Sequence, residues 1–373
     1  MTSPFISSAE GLIARKPVLG GLVAALMSEG QYDFWSRELG STAAWRRVFA
    51  RVVAAQWEAA DTLTLTLRPN RNLGPVSAGQ HLTLSADIAG RRHCRSYSLS
   101  RLASGRDICL TVRREPEGLM SNFLHDHVQV GDVLELSQPY GDLATGLLSD
   151  ATRPLLMLAA GSGITAIYNL LASMASLGRS LQGELLYWEK QPDRFCFTEE
   201  LNRLQAEHAG FRVSRFCNAI EGREDAERGR LDAALAARLA GAYPAASIVA
   251  CGGGAFVTAA RELLGGVGKE FRAEAFTPSF ATIDDETEEQ FYELVLRRSG
   301  KTLRVSSRQS LLEQIEDAGL SPEHGCRMGI CNSCSCQQRG GESVNELSGA
   351  ALRGQGAVRL CVSRANSDLE LDL

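Results

Sequence analysis

Four cysteines set the tightest limit on what this chain can become. Cys326, Cys331 and Cys334 are separated by four and then two residues, and Cys361 follows after a gap of twenty-six. The stretch that holds the first three, GCRMGICNSCSC from Gly325 to Cys336, ends on a further thiol, Cys336. Dense cysteines in a secreted domain read as a disulfide framework, whereas in a reducing compartment they read as metal ligands. The N-terminus lacks the basic, apolar and small-residue succession of a signal peptide. Its longest apolar run, PVLGGLVAALM from Pro17 to Met27, is too short to span a bilayer and suits a short core or interfacial helix. A cytoplasmic setting and metal ligation are therefore expected. Cys94, Cys109, Cys196, Cys217 and Cys251 are scattered singly and read as small packing residues.

The spacing Cys-x4-Cys-x2-Cys with a distant fourth cysteine is the plant-type [2Fe-2S] pattern, in which a loop wraps three thiolates and a strand brings the last. A structural zinc site usually shows paired Cys-x2-Cys spacings, and only one such pair is clean here. Cys326, Cys331, Cys334 and Cys361 are the expected ligands, with Cys336 outside the set. Gly325 and Gly329 let such a loop fold tightly and aim backbone N–H groups at the sulfurs. The segment from Glu293 to Leu373, with its hairpin FYELVLRRSGKTLRVSS and a helix around Ser310 to Ala318, resembles a plant-type ferredoxin domain.

At 373 residues the chain is too long for one core and suggests two or three domains. A hydrophobic share of 44%, a charged share of 22% and a net charge of −5 describe a globular protein with no basic footprint for nucleic acid. Residues 1–45 read as an extension without clear periodicity. From about residue 46 to 149, short alternating runs such as DTLTLTLRP read as half-buried strands of a small antiparallel barrel, with Leu63, Leu65 and Leu67 on one face and threonines on the other. Residues 150–276 alternate apolar strands with long helical patterns, which predicts a parallel α/β sheet. The acidic stretch within 277–290 reads as a linker, and residues 291–373 form a small α+β domain. The expected fold is thus multidomain: antiparallel β-barrel, parallel-sheet nucleotide domain and α+β ferredoxin-like domain.

In the barrel segment, RSYS at Arg95 to Ser98 precedes GLMSNFL at Gly118 to Leu124. Arg-x-Tyr-Ser followed by Gly-x-x-Ser-x-x-Leu resembles the flavin-binding pattern of the ferredoxin-NADP reductase superfamily. The resemblance implies that Arg95 meets the flavin pyrophosphate, Tyr97 packs on the ring and Ser98 hydrogen-bonds near the reactive ring nitrogen, with Leu99, Gly118, Met120 and Ser121 completing the binding set. Independently of the family, a guanidinium suits a diphosphate, an aromatic face covers a flat ring, and a turn opening a helix offers free N–H groups to phosphate. The phosphate turn favours FAD over FMN.

AAGSGITAI, Ala159 to Ile167, places Gly161, Gly163 and Thr165 at a strand-to-helix turn that fits a dinucleotide pyrophosphate. CGGG at Cys251 to Gly254 resembles the family's Cys-Gly motif lining the nicotinamide pocket, which gives Cys251 and Gly252 a positional role there. RAEAFTP puts Glu274 and Phe276 where relatives have a carboxylate near the flavin and an aromatic over its ring. Glu189 suits a ribose 2′-hydroxyl, and Lys190 and Arg194 suit a 2′-phosphate, so the choice between NADPH and NADH stays open.

Taken together, the resemblance implies an NAD(P)H-dependent reductase with FAD and a [2Fe-2S] cluster, with Ser98, Tyr97 and Cys251 at the reacting end. Its partner would be an electron-acceptor protein. A membrane fatty acyl-CoA desaturase is the foremost expectation, with peripheral contact of the extension with a membrane or membrane-bound partner. A ring or phenylacetyl-type hydroxylase or oxygenase is the alternative, and a non-catalytic redox sensor is a reading of a different class.

Overall fold

The computed structural model describes residues 28–102, 106–141, 143–144, 147, 153–217, 226–227, 229–276, 289–325, 327, 329, 332–346 and 349–373. The apolar run at Pro17 to Met27, the cysteines at 326 and 331, and nearly all of the 277–290 linker lie outside these residues.

Alternating apolar residues fold the first domain into a closed antiparallel barrel. Its strands β1 (Val48–Ala59), β2 (Thr62–Pro69), β3 (His81–Ile88), β4 (Arg91–Leu102), β5 (Ile108–Arg113) and β6 (Val133–Leu136) run in the order β1-β2-β5-β4-β3-β6. Leu63, Leu65 and Leu67 point into the core with Leu82, Leu84, Leu99 and Leu110. The threonine face of β2 departs from the half-exposed expectation, because Thr62 and Thr64 are buried as well. Thr64 shares a hydrogen bond of 2.6 Å with Thr111, whose hydroxyl donates to Ser100 at 2.8 Å, so a ladder of hydroxyls satisfies that wall where the next domain covers it.

Ahead of the barrel the chain forms a helix, α1 (Glu29–Glu38), that the absence of apolar periodicity hid. Ser28 and Gln31 close a reciprocal capping box, a signal present in the sequence as Ser-x-x-Gln. Its inner side is polar: buried Asp33 accepts from the Trp45 amide at 2.7 Å, and Arg37 pairs with Asp87 of β3 at 2.9 Å. The helix therefore straps the barrel through charge, which leaves Phe34 and Trp35 outward, edge to face at 5.4 Å.

A barrel-end helix, α2 (Leu119–Asp126), leads towards the second domain, whose strands are β7 (Leu155–Ala160), β8 (Gly183–Glu189), β9 (Phe211–Cys217), β10 (Ala226–Glu227), β11 (Ser247–Gly252) and β12 (Glu270–Ala275). They form one parallel sheet in the order β10-β9-β8-β7-β11-β12. The order reverses between β7 and β11, and ligands of such sheets bind at the carboxyl ends of the strands beside that reversal. Helices α3 (Ile164–Ser176) and α4 (Thr198–Glu207) cover one face, and α5 (Ala233–Ala242) and α6 (Gly254–Leu264) the other. Helix α3 is buried on almost every side, because it lies between the sheet and β4 of the barrel.

The third domain pairs β13 (Phe291–Leu296) with β14 (Lys301–Ser306) as the expected hairpin, followed by α7 (Leu311–Asp317), capped by Ser310. Strands β15 (Ser335–Gly340), β18 (Gly356–Arg359) and β20 (Leu369–Leu371) complete a five-stranded sheet, and β16 (Glu342–Asn345), β17 (Ala351–Arg353) and β19 (Ser363–Ala365) form a small second one. Fully buried Gln338 ties the two together, donating to the carbonyls of Gly341, Leu352 and Gly354 and accepting from Ser343. No helix among the described residues is long and apolar enough to cross a membrane.

One glycine makes the junction of β7 with α3 possible. A Cβ at Gly163 would overlap the backbone carbonyl of Cys251, so the turn and β11 touch only because a side chain is missing. Gly163→Ala should therefore lower the melting temperature by about 4–10 °C, the scale of overpacking a tight site in a domain of this size. Thermal unfolding followed by circular dichroism checks this, and an unchanged midpoint would contradict the close approach.

Candidate active site

Strand β4 and the start of α2 shape one wall of a cleft of about 520 Å³. Arg95, Tyr97, Ser98, Gly118, Met120 and Ser121 all line it, joined by Ser162 and Thr165 from the β7–α3 turn and by Phe276 after β12. Leu99 turns away into the barrel core, as the next residue of a strand must. The Ser98 hydroxyl is buried and has no hydrogen-bond partner among the described residues. A buried orphan hydroxyl facing a cleft is the mark of a polar group meant for a ligand. Gly118 has no side-chain cap above α2, and a Cβ there would fall 2.5 Å from Ser121 Oγ. The Gly118 amide itself donates to the Glu115 carbonyl, while the amides of the uncapped first turn of α2 point past it. Among the described residues the exposed Arg95 guanidinium donates only to the carbonyl of Cys94. A flat aromatic group bearing a diphosphate fits this donor set, so the residues present suit FAD.

At the closed end, His81 of β3 lies opposite Ser98 in the strand register and stacks on Tyr140 at 5.7 Å. Its Nε2 meets the carboxylate of Glu274, which sits beside Cys251 in the β11–β12 register. Sequence reasoning missed His81; the signal was the histidine that opens the strand HLTLSADI ahead of its core leucines. Cys251 is fully buried, and burial together with the Glu274 charge pushes its thiol well above the ordinary range. It stays a neutral thiol, which suits packing and not nucleophilic attack. Gly252 faces Phe256 and Ala160 across the strand ends, where a Cβ would be 3.0 Å from the ring.

A second cleft opens at the carboxyl ends of β7, β8 and β9. Gly161, Lys190 and Arg194 line it with Trp188, Glu189, Phe216 and Arg230. Arg194 is held by Asp61 of the barrel at 3.2 Å. Glu189 is buried, and its carboxylate accepts from Arg113 of β5 and from the Tyr187 hydroxyl. Burial pushes the Glu189 carboxyl up, against the pull of Arg113. Arg113 was invisible from sequence, because the strand TVRR gives no hint that one of its arginines crosses to another domain.

The third domain brings its cluster loop to the first cleft. Ser310, Leu312, Glu313, Arg327 and Cys361 complete the lining opposite Ser98 and Tyr97. Cys334 and Cys361 are buried with their sulfurs 3.2 Å apart, although they come from different elements, so both can reach one metal ion. Arg327, Gly329 and Asn332 all take left-handed backbone angles, which bend the chain sharply at these positions. Arg359 donates to the carbonyl of Gly329, and Arg327 to Glu316 at 2.6 Å, pinning the loop from both sides. The paired thiols and curled backbone suit a thiolate-held cluster. Cys336 is half-buried on β15, and burial beside Cys334 pushes its thiol up to about 12, which keeps it protonated.

Comparison with known proteins bears on each domain in turn. Residues 51–144 match an oxidoreductase FAD-binding domain, 157–262 an oxidoreductase NAD-binding domain, and 294–366 a 2Fe-2S iron-sulfur cluster binding domain. The chain is 29% identical to an NADPH oxidoreductase of Mycobacterium tuberculosis over 88% of its own length and 85% of that protein. It is 31% identical to the ferredoxin reductase component of 3-ketosteroid-9-alpha-monooxygenase from the same species, over 78% and 83%. The solved structure of phthalate dioxygenase reductase shares the fold, with a TM-score of 0.58 at 24% identity over 88% of this chain and 98% of that one. The protein is an NAD(P)H oxidoreductase whose redox groups are FAD and a [2Fe-2S] cluster. The chain belongs to the ferredoxin-NADP reductase superfamily, among the flavoproteins that carry a C-terminal plant-type [2Fe-2S] ferredoxin domain.

Proposed function

We propose that this chain draws electrons from a nicotinamide nucleotide and delivers them to an oxygenase-type partner enzyme. The observation that carries the reading is the shared cleft: Ser98 and Tyr97 of the barrel, Thr165 of the nucleotide domain and Cys361 of the ferredoxin domain line one space. A nicotinamide gives up two electrons together, a [2Fe-2S] cluster takes one, and bound FAD supplies the exchange between the two.

The chain's own residues do the positioning. Arg95 and the Gly118 turn anchor phosphate, while Tyr97 and Phe276 bracket the ring site and exclude water. The Ser98 hydroxyl is free to hydrogen-bond at the reacting edge, and neutral Cys251 packs the nicotinamide side. Cys326, Cys331, Cys334 and Cys361 hold the cluster, with Arg327 and Arg359 fixing the loop that carries them.

Relatives named as reductase components of a ketosteroid monooxygenase and of glycine betaine monooxygenase support an oxygenase acceptor. The narrower acceptor is a membrane fatty acyl-CoA desaturase. What supports it is α1, which spends its polar side on the barrel and turns Phe34 and Trp35 outward, with exposed Leu39 directly after it, as a surface meeting a membrane-bound partner would. Electron delivery to a purified desaturase and to a soluble oxygenase component, assayed side by side, tests that choice; reduction of the soluble component alone removes the desaturase.

Ser98→Ala should slow flavin bleaching by NADPH by about 10- to 1000-fold, the scale of losing one placed polar group at a reacting centre, while bound flavin stays stoichiometric. Stopped-flow absorbance reads both, and an unchanged rate would refute the role given to the hydroxyl. Cys331→Ser should abolish cytochrome c reduction but spare ferricyanide reduction, because electron entry and electron exit occupy different domains. Equal loss of the two activities in folded, flavin-loaded protein would argue against that division.

A further inference from the structure

An acidic residue at the carboxyl end of the second strand of such a domain reads the ribose hydroxyls of NADH, and Glu189 holds that position at the end of β8. Its side chain is nevertheless only 1% exposed, and Oε1 takes donors from both Arg113 and Tyr187. Arg113 is itself mostly buried, and Asp61, its other carboxylate neighbour, is 3.7 Å away and shared with Arg194. Swinging Glu189 outward to a sugar would therefore leave a buried guanidinium short of its main partner, a costly state.

The rim of the same cleft is mainly basic, although the exposed Glu115 also lines it. Lys190 and Arg230 are exposed there, and neither enters an ion pair among the described residues, whereas Arg114 and Arg194 are engaged by Asp126 and Asp61. Trp188 and Phe216, stacked with centroids 4.7 Å apart, give the cleft an aromatic wall suited to a base.

We infer that this cleft selects a 2′-phosphorylated donor, NADPH, with Lys190 and Arg230 holding the extra phosphate and Arg113 withdrawing Glu189 from the ribose. The assignment deepens the reductase reading and rests on it. Charge discriminates the donors: a phosphate dianion gains two cationic partners, while the bare 2′-hydroxyl of NADH finds the Glu189 carboxylate already taken by Arg113 and Tyr187.

The test measures kcat/KM for NADPH and NADH with ferricyanide as acceptor, together with calorimetric binding of 2′,5′-ADP and 5′-ADP, in the native holoprotein and in the Lys190→Ala/Arg230→Ala double variant. The native protein should favour NADPH and 2′,5′-ADP by about 100-fold, and the double variant should lose most of that ratio through KM, as expected for two charge-assisted phosphate contacts. Preference for NADH, or an NADPH preference that survives the double substitution, overturns the assignment. Tight, variant-sensitive 2′,5′-ADP binding without ferricyanide reduction by either nucleotide would uphold the cleft's selectivity and overturn the reductase reading instead.

Discussion

Helix α3 has almost no free face: it rests on β7 and β11 of the parallel sheet beneath it and on β4 of the barrel above it. An apolar helix wedged in this way fixes two domains as one body, since separating them would return its second face to water at about 25 cal/mol for each Å². The functional arrangement follows from that wedge. The helix begins at the dinucleotide turn, so the turn is pressed against Cys251, and β4 carries Tyr97 and Ser98 to the same place.

Polar contacts then sharpen what apolar packing brings together. Asn169, fully buried on α3, accepts from the Gly79 amide of the barrel at 3.1 Å, and Arg101 reaches Glu200 at 2.8 Å while lying over the Tyr168 ring. The His81–Glu274 and Arg113–Glu189 contacts cross the same boundary at the two ends of the site. Buried pairs of this kind add little net stability, but they penalise any other alignment of the domains, because a shift would strand a charge. The ferredoxin domain is oriented differently: its own core is separate, and it presents Arg327 of the cysteine loop and Cys361 of the turn after β18 to the open side of the flavin cleft.

Motifs that place backbone were legible from sequence. The cysteine spacing, RSYS, the Gly118 turn and the Gly161 to Gly163 turn each report a local geometry that few residue types permit, and three domains could be read from changes of hydrophobic period. Contacts between distant segments were not legible. Arg113 and Glu189 are separated by the rest of the barrel and the first crossover, so nothing local tells that Glu189 faces inward. Helix α1 escaped because its docking face is charged and the periodicity sought was apolar; only its capping box betrayed it. The threonines of β2 looked solvent-facing because alternation reports two unlike faces, not whether another domain covers the polar one.

The central claim is that electron entry and exit meet within one chain, since Ser98 and Cys361 line a single cleft. Anaerobic rapid mixing with NADPH, with the paramagnetic signal of the reduced cluster followed after freezing, tests it most directly when repeated at increasing protein concentration. An intramolecular path predicts a first-order rate that does not change with concentration. A rate that climbs in proportion to protein concentration would mean that electrons pass between molecules, and the shared cleft would not be the route.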